Sequence, residues 1–222
     1  MKLGPVDLGW VSDNAGRIGE LTVEHIWYTL LAVGIGLVIS CALALLVRRS
    51  PRLYGTVLGV TGMLYAIPSL ALFALLVPIT GLTSVLTVQI ALVSYTLLIL
   101  TRNIVEGLRG VPPDALEAAS GMGYTPTQRL LRIELPLALP VIVAGIRIAT
   151  VTTVGLVTLA ALLGLGGLGY LIITIGTNRG SFGLTATLTG IVLAVGLAVI
   201  ADLALLALQH ALTPWARRRT TT

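Results

Sequence analysis

Long uninterrupted apolar segments constrain this chain more than any other feature of its sequence. Each is close to or above the roughly 20 residues that a helix needs to cross about 30 Å of hydrocarbon. None alternates apolar and polar residues as membrane β-strands do. Only 10% of the 222 residues are charged, against roughly 25% in soluble domains. We therefore predict an all-α membrane protein with about five transmembrane helices, at residues 26–47, 54–79, 84–101, 137–163 and 183–210.

Basic residues are distributed unevenly among the segments that join these apolar runs. Ten of the fourteen lysines and arginines would face the same side of the membrane, and the positive-inside rule predicts that this side is the cytosol. We therefore predict one transmembrane domain over 1–222, with an extracytoplasmic N-terminal segment at 1–24, a cytosolic loop at 102–136 and a cytosolic C-terminus. The ten are Arg48, Arg49, Arg52, Arg102, Arg109, Arg129, Arg132, Arg217, Arg218 and Arg219. The other side keeps Lys2, Arg17 and Arg179.

The loop at 102–136 begins with the signals of a short helix. Pro113 followed by Asp114 suits a first helical turn, because proline needs no N–H partner there and a carboxylate complements the helix dipole. Gly121 and Gly123 are expected to end that helix. The loop is shorter than the roughly 40 residues below which a domain usually needs extra support. It is therefore expected to fold against something else.

A second helix is predicted at the end of the same loop. Residues 125–128 read Thr-Pro-Thr-Gln, which is a capping-box arrangement, and this helix is expected to run into Pro136. In the first helix, Glu117 is available to pair with a basic group, and Ala118 and Ala119 allow a partner surface to approach closely. This combination is typical of a mechanical joint.

Residues 117–136 fit the pattern Glu-Ala-Ala, three residues, Gly, nine residues, Ile-x-Leu-Pro at all seven fixed positions. This segment resembles the coupling motif in permeases of binding-protein-dependent ABC importers. The resemblance implies a fold like that of type I ABC importers and docking of this loop on a cytosolic ATPase. It assigns the docking role to Glu117, Ala118, Ala119, Ser120, Gly121, Met122, Gly123 and Tyr124.

Further segments resemble the osmoprotectant branch of that family, at residues 22–30, 66–73, 134–140 and 145–147. The resemblance implies a pore subunit in the inner membrane of a prokaryote that takes up glycine betaine, carnitine or choline. It also implies an ATPase dimer, a second permease subunit, identical or different, and a separate extracytoplasmic binding protein. The chain itself would be no enzyme and hold no cofactor, since ATP and Mg²⁺ would bind the ATPase. No nucleic-acid partner is expected.

Nucleotide binding by this chain is not expected from its own motifs. Its only lysine is Lys2, so a phosphate-binding Gly-x-x-x-x-Gly-Lys-Ser/Thr loop cannot form. Residues 164–169 formally satisfy Gly-x-Gly-x-x-Gly, but they follow a membrane span instead of a strand. A close-packed turn or re-entrant element is predicted instead, with Gly166 and Gly167 as candidates for a gate.

Two further features lie within the predicted spans. Pro68 and Ser69 interrupt the second span, which indicates either a pore lining or a simple kink. Arg147 and Asp202 are intramembrane charges at similar depths, so we predict that they pair. An alternative is that they line or gate the translocation path.

No metal site is predicted, because His25 and His210 are expected at opposite membrane faces. Cys41, within the first span, is expected to serve packing.

Three alternative functions stay open at this point. A related importer for methionine or another small polar solute would share the coupling motif. An ion-coupled secondary transporter would be expected to carry polar coupling groups at the midplane, where Asp202 is the only carboxylate. A membrane anchor for a signalling complex would not need spans broken by proline and glycine.

Overall fold

The computed structural model describes residues 2–3, 6–177 and 182–214 of the chain. Arg179 and Arg217–Arg219, on which the predicted orientation partly rests, lie outside these ranges. Apart from a short antiparallel hairpin of β1 (Lys2–Leu3) and β2 (Val6–Asp7), the regular structure is helical, which confirms the all-α prediction. The α-helices are α1 (Leu8–Asp13), α2 (Ala15–Arg49), α3 (Tyr54–Ala66), α4 (Ser69–Thr80), α5 (Val85–Arg109), α6 (Pro113–Gly121), α7 (Pro126–Arg129), α8 (Leu135–Val157) and α9 (Gly183–Leu212).

Shorter helical turns complete the described backbone. They are 3₁₀ turns at Pro51–Leu53 and Thr158–Leu163 and π-helical turns at Leu130–Glu134 and Tyr170–Ile175. Four continuous stretches are long and apolar enough to cross a membrane, namely α2, α5, 126–163 and α9. The bent pair of Pro51–Ala66 and Ser69–Thr80 makes a fifth when it is counted as one broken span. The described residues thus agree with the predicted number of spans.

Two predicted helix boundaries are wrong, both because buried side chains extend a helix beyond its most apolar window. α2 begins at Ala15, so residues 15–24 are helical, and Ile18 and Leu21 are buried within them. α5 continues to Arg109, so residues 102–109 belong to that helix instead of a loop. Its buried residues Ile104 and Val105 hold the last turns against the bundle.

α5 lies at the centre of the bundle and contacts α2, α3, α4 and α8. It runs in the same direction as α2: Gln89 donates a hydrogen bond to the carbonyl of Tyr28 at 3.3 Å. Further along both helices, a Cβ on Gly36 would lie 1.9 Å from the Thr96 hydroxyl oxygen. Glycine is therefore required at position 36 for this close approach.

α8 and α9 complete the bundle, with α8 packed on both α5 and α2. A Cβ on Gly145 of α8 would lie 2.5 Å from Cβ of Asn103 in α5, so α8 and α5 are also in close contact. α9 packs on α8 and on the π-helical turn Tyr170–Ile175. Most of its side chains face away from the described chain, since only 6% of its most apolar window is buried. That exposure suits contact with lipid or another subunit.

The second predicted span, 54–79, is not straight but bends by 92° between α3 and α4. The bent span still extends from one end of α5 to the other. Tyr54 forms a hydrogen bond with Glu106 near one end of α5, and Thr80 forms one with Thr87 near the other. Ile67 is extended at the bend, because a residue before proline is disfavoured in the helical region. The bend predicted at Pro68 is therefore confirmed.

The helix that follows residue 125 reaches Pro136, as predicted, and does not stop there. It continues through the π-helical turn Leu130–Glu134 into α8. The wider turn explains the continuity, because the N–H of Leu135 bonds the carbonyl of Leu130 and proline supplies no N–H of its own.

Candidate functional site

The predicted coupling segment folds as two short helices joined by a tight turn. α6 ends at Gly121, and Gly123 takes a left-handed conformation with φ of +77°. The second helix begins with Thr125 as N-cap, and the Thr125 and Gln128 side chains form the predicted capping box. Both helix starts and the glycine turn are therefore confirmed. Local sequence is sufficient to produce them, because each signal acts within four residues.

The segment presents an exposed surface, which we name the α6 surface and define by Glu117, Ala118, Gly121 and Met122. Met122 is 66% exposed, which is unusual for a methionine unless it faces a partner or lipid. Among the described residues, Glu117 has no salt bridge. It stays available for a basic group elsewhere.

Ala119 departs from the prediction that both alanines face a partner. Its side chain is fully buried, and its carbonyl accepts a hydrogen bond from the N–H of Tyr124 in the turn after α6. The small side chain at 119 thus lets α6 pack against its own chain. Only Ala118 is open to a partner. Ser120 is exposed and Tyr124 is half-buried beside the turn.

The most heavily hydrogen-bonded carboxylate near this segment is Glu134, which sequence reasoning missed. Its side chain is only 7% exposed. Arg48 at the end of α2 donates from Nε and from Nη2, each at 3.0 Å, and Arg129 donates from Nε at 2.9 Å. Charge-assisted bonds of this kind are the strong ones. The motif leaves position 134 variable, and Arg48 is 86 residues away, so no local signal pointed to this cluster.

The two arginines also reach the helices next to the α6 surface. Arg129 Nη1 lies 3.4 Å from the hydroxyl of Ser120 in α6. Arg48 Nη2 lies 3.4 Å from the carbonyl of Pro126 at the start of α7. The ends of α2, α6 and α7 therefore meet around one buried carboxylate. We name this part of the bundle the arginine-rich end.

Arg147 and Asp202 form the predicted ion pair between α8 and α9. Arg147 Nε and Nη2 donate to the two carboxylate oxygens, both at 2.8 Å. The Arg147 and Asp202 side chains are 24% and 35% exposed. They line an open groove with Ile148 and Val151, so the pair lies at an apolar surface of the bundle. A role in a translocation path stays a prediction.

Pro68 and Ser69 form the start of α4 at the bend of the second span. The Tyr95 hydroxyl donates to the carbonyl of Ile67, which the bend leaves without a helical partner. A side chain of the protein therefore satisfies that carbonyl. Pro68 is exposed and Ser69 half-buried. This geometry accounts for the kink, while pore lining by these residues stays a prediction.

Residues 164–169 form a close-packed turn at the opposite end of the bundle, which we name the glycine-turn end. Gly164 and Gly167 have φ of +72° and +84°. The N–H of Gly167 bonds Glu24 Oε2 at 3.0 Å, and a Cβ on Gly166 would lie 1.6 Å from that oxygen. The element before the turn is helical, so the dinucleotide-binding alternative is excluded. The close-packed turn is confirmed.

His25 fixes the same turn and was not expected from the sequence to have a structural role. It is fully buried. Its Nδ1 accepts from the N–H of Leu168 at 3.2 Å, and Nε2 lies 3.0 Å from the carbonyl of Val154. This pattern requires the neutral ring with its proton on Nε2. His25 therefore ties α2 to α8 and to the glycine turn.

The candidate path residues occupy three separate places. Pro68 and Ser69 lie beside α5, Arg147 and Asp202 join α8 to α9, and Gly166 and Gly167 lie at the glycine-turn end. Among the described residues, no hydrogen bond links one of these places to another. Among the same residues no group of three potential metal ligands is found. Cys41 is exposed, so its predicted packing role is wrong.

Comparisons with known proteins agree over nearly the whole chain. The family model described as binding-protein-dependent transport system inner membrane component matches residues 32–217. The osmoprotectant import permease protein OsmW of Salmonella typhimurium is 38% identical, covering 92% of this chain and 96% of its own length. The choline transport system permease protein OpuBB of Bacillus subtilis is 35% identical, with 95% of both chains covered.

A third relative and a solved structure agree with these matches. The carnitine transport permease protein OpuCB of Listeria monocytogenes is 36% identical, with 93% of both chains covered. A chain of the MetNI methionine ABC transporter in an inward-facing conformation superposes with a TM-score of 0.72 at 27% identity, covering 86% of this chain and 93% of that one. This chain belongs to the family of inner membrane components of binding-protein-dependent transport systems and has the permease fold of ABC importers.

Proposed function

We propose that this chain is the pore-forming permease of an ATP-driven importer for quaternary-amine osmoprotectants such as glycine betaine, carnitine and choline. The observation that carries the proposal is a sequence identity of 35–38%, over nearly the full length, with permeases named for osmoprotectant, choline and carnitine transport. The methionine transporter is 27% identical. Uptake of methionine is therefore the second candidate.

The proposed assembly contains a cytosolic ATPase dimer, a second permease subunit and an extracytoplasmic binding protein. The exposed α6 surface supports ATPase docking, because it combines a free carboxylate with small and flexible side chains. ATP and Mg²⁺ would bind the ATPase, since this chain lacks a phosphate-binding lysine motif. Ligand selection is assigned to the binding protein.

The proposed orientation places the arginine-rich end in the cytosol and the glycine-turn end outside. Arg48, Arg49, Arg52 and Arg109 lie at or next to the ends of α2 and α5, on the side that carries α6. The positive-inside rule supports this assignment. The start of α2 would then face the binding protein.

Uptake in proteoliposomes tests the proposal. The permease is reconstituted with its ATPase and binding protein, and uptake of radiolabelled choline, carnitine, glycine betaine and methionine is measured. ATP-dependent uptake of a quaternary amine is expected. Methionine uptake alone would favour the second candidate, whereas uptake driven by an ion gradient without ATP would identify a secondary transporter.

We expect a cysteine at Ala118 to be accessible only from the cytosol. The Ala118→Cys variant is made in a Cys41→Ser background, because Cys41 is itself exposed. Impermeant thiol reagents should label it only after the membrane is opened. A Gly16→Cys variant, at an exposed position near the start of α2, serves as the control and should be labelled in intact cells. The reverse pattern would overturn the orientation.

We expect Gly123→Leu to reduce uptake by about tenfold or more, because a leucine at φ of +77° is strained and would displace α6 from the ATPase. Gly123→Asn should retain most of the uptake, since asparagine tolerates this conformation. Uptake and ATPase co-purification are measured together, with membrane content as reference. Normal values of both for Gly123→Leu would contradict a docking role for this turn.

A further inference from the structure

The connection between the α6 surface and α2 is narrow. α6 packs mainly on residues 126–134, and that segment packs on α6 and α8. An apolar cleft separates the segment from α2, lined by Cys41 and Leu45 on one side and by Leu130 and Leu131 on the other. Packing alone therefore joins the segment only loosely to α2.

The Arg48 side chain bridges this gap. It reaches from the last turn of α2 and binds both carboxylate oxygens of Glu134. Glu134 also accepts a hydrogen bond from Arg129, and Nη1 of Arg129 contacts the hydroxyl of Ser120 in α6. One buried carboxylate thus holds a side chain from α2 and a side chain from the segment that supports the α6 surface.

The backbone at Glu134 is suited to movement. Glu134 is the last residue of the π-helical turn Leu130–Glu134, two residues before Pro136. Wide turns of this kind are local departures from regular helix and are frequent at functional sites. A displacement of α6 would therefore be taken up near residue 134 unless the two arginines hold that carboxylate in place.

We propose that Glu134 is the positioning residue that passes movement of the α6 surface to α2, through its bonds with Arg129 and Arg48. This inference rests on the proposed function, because it requires an ATPase bound at the α6 surface. Glu134 does not contact nucleotide or solute. It keeps α2 in register with the docking segment, so that closure of the ATPase displaces both together. Loss of the carboxylate would leave α6 docked but α2 no longer driven.

The test separates coupling from docking in the reconstituted transporter. Glu134→Gln keeps the size of the side chain and removes its charge. Because Arg48 and Arg129 are 26% and 34% exposed, water can solvate them once the carboxylate is gone. We therefore expect enough folded protein for reconstitution, and unchanged ATPase co-purification per folded transporter. Glu134→Gln weakens the bonds with Arg48 in α2 and with Arg129 in α7, because both depend on the charged carboxylate. The amount of solute transported per ATP hydrolysed should therefore fall by about tenfold or more. Radiolabelled choline is the probe, or whichever solute the unmodified chain takes up.

Matched controls use exposed arginines beside those of the cluster. Arg48→Gln should reproduce the loss of solute per ATP, whereas Arg49→Gln should not. Arg129→Gln should do the same, whereas Arg132→Gln should not. In a double variant, Arg48→Gln with Glu134→Gln, the losses should be less than additive, because both substitutions remove the same interaction.

Each result then has a clear meaning. A normal ratio of solute to ATP in Glu134→Gln would overturn the inference, and so would loss of ATPase co-purification, which would make Glu134 a docking or folding residue. If Glu134→Gln is not recovered in membranes, Arg48→Gln decides in the same way: a folded Arg48→Gln variant with a normal ratio rejects a positioning role. Failure of the unmodified chain to show ATP-dependent uptake would instead refute the proposed function.

Discussion

Gly169→Ala should strongly reduce the stability of the folded protein and the yield in which it is recovered. A Cβ at position 169 would lie 1.9 Å from the carbonyl oxygen of Thr158 and 2.6 Å from its carbonyl carbon. Both atoms belong to the backbone, so no side-chain rotation relieves the clash. Overpacking of this kind typically costs about 1–3 kcal/mol. We expect the upper end of that range, because Glu24 and His25 of α2 hold the backbone of the turn at Gly167 and Leu168.

The measurement is the fraction of monodisperse protein recovered in detergent, together with its apparent Tm. Gly155→Ala is the matched control, because Gly155 lies in α8 with nothing within 4 Å of an added Cβ. Alanine is favoured over glycine in a helix by about 1 kcal/mol, so this variant should be at least as stable as the parent. Equal recovery of both variants would show that the turn at 164–169 is not packed as described.

The glycine turn also shows what sequence reasoning could and could not predict. The run of glycines indicated a close-packed turn, because glycine is needed wherever backbones approach this closely. It did not indicate the partners. Glu24 and His25 contact the turn from 143 residues away in the chain. Contacts between such distant positions depend on how the helices pack, and one sequence carries no local signal for them.

The coupling segment was predictable for the opposite reason. The capping box at Thr125 and Gln128 and the left-handed glycine at 123 act over a few residues, so their sequence determines the local fold directly. The orientation of Ala119 was not predictable, because its burial depends on packing of α6 against its own chain. Glu134 was missed because its arginine partner comes from α2.

The spans were predictable in number but less so in length. Hydropathy identifies the part of a helix that suits hydrocarbon, whereas the helix itself ends where its backbone loses partners or meets a breaker. α5 therefore runs past residue 101 to Arg109, next to Gly110. The second span shows the converse, because Pro68 breaks the helix within an apolar run and Tyr95 bonds the freed carbonyl.

Arg147 and Asp202 were expected to pair because a membrane restricts the depth at which two residues can meet, and the bidentate contact confirms it. Replacing either one should reduce folded yield severely. Arg147→Gln leaves a carboxylate without its cation, and Asp202→Asn leaves a guanidinium without its anion. A lone charge in a membrane span is unfavourable. Both charges line an open groove, so solvent or headgroups reaching the groove would lower this cost.

The double variant, Arg147→Gln with Asp202→Asn, distinguishes a structural pair from a functional one. It should recover part of the folded yield, because no charge is then left alone. If uptake recovers with the yield, the pair stabilises the contact between α8 and α9. If the yield recovers while uptake stays low, the charges themselves are needed for transport, as expected of groups that line or gate a path. Strictly additive losses of yield would contradict the pairing, since two independent charges would each impose their own cost.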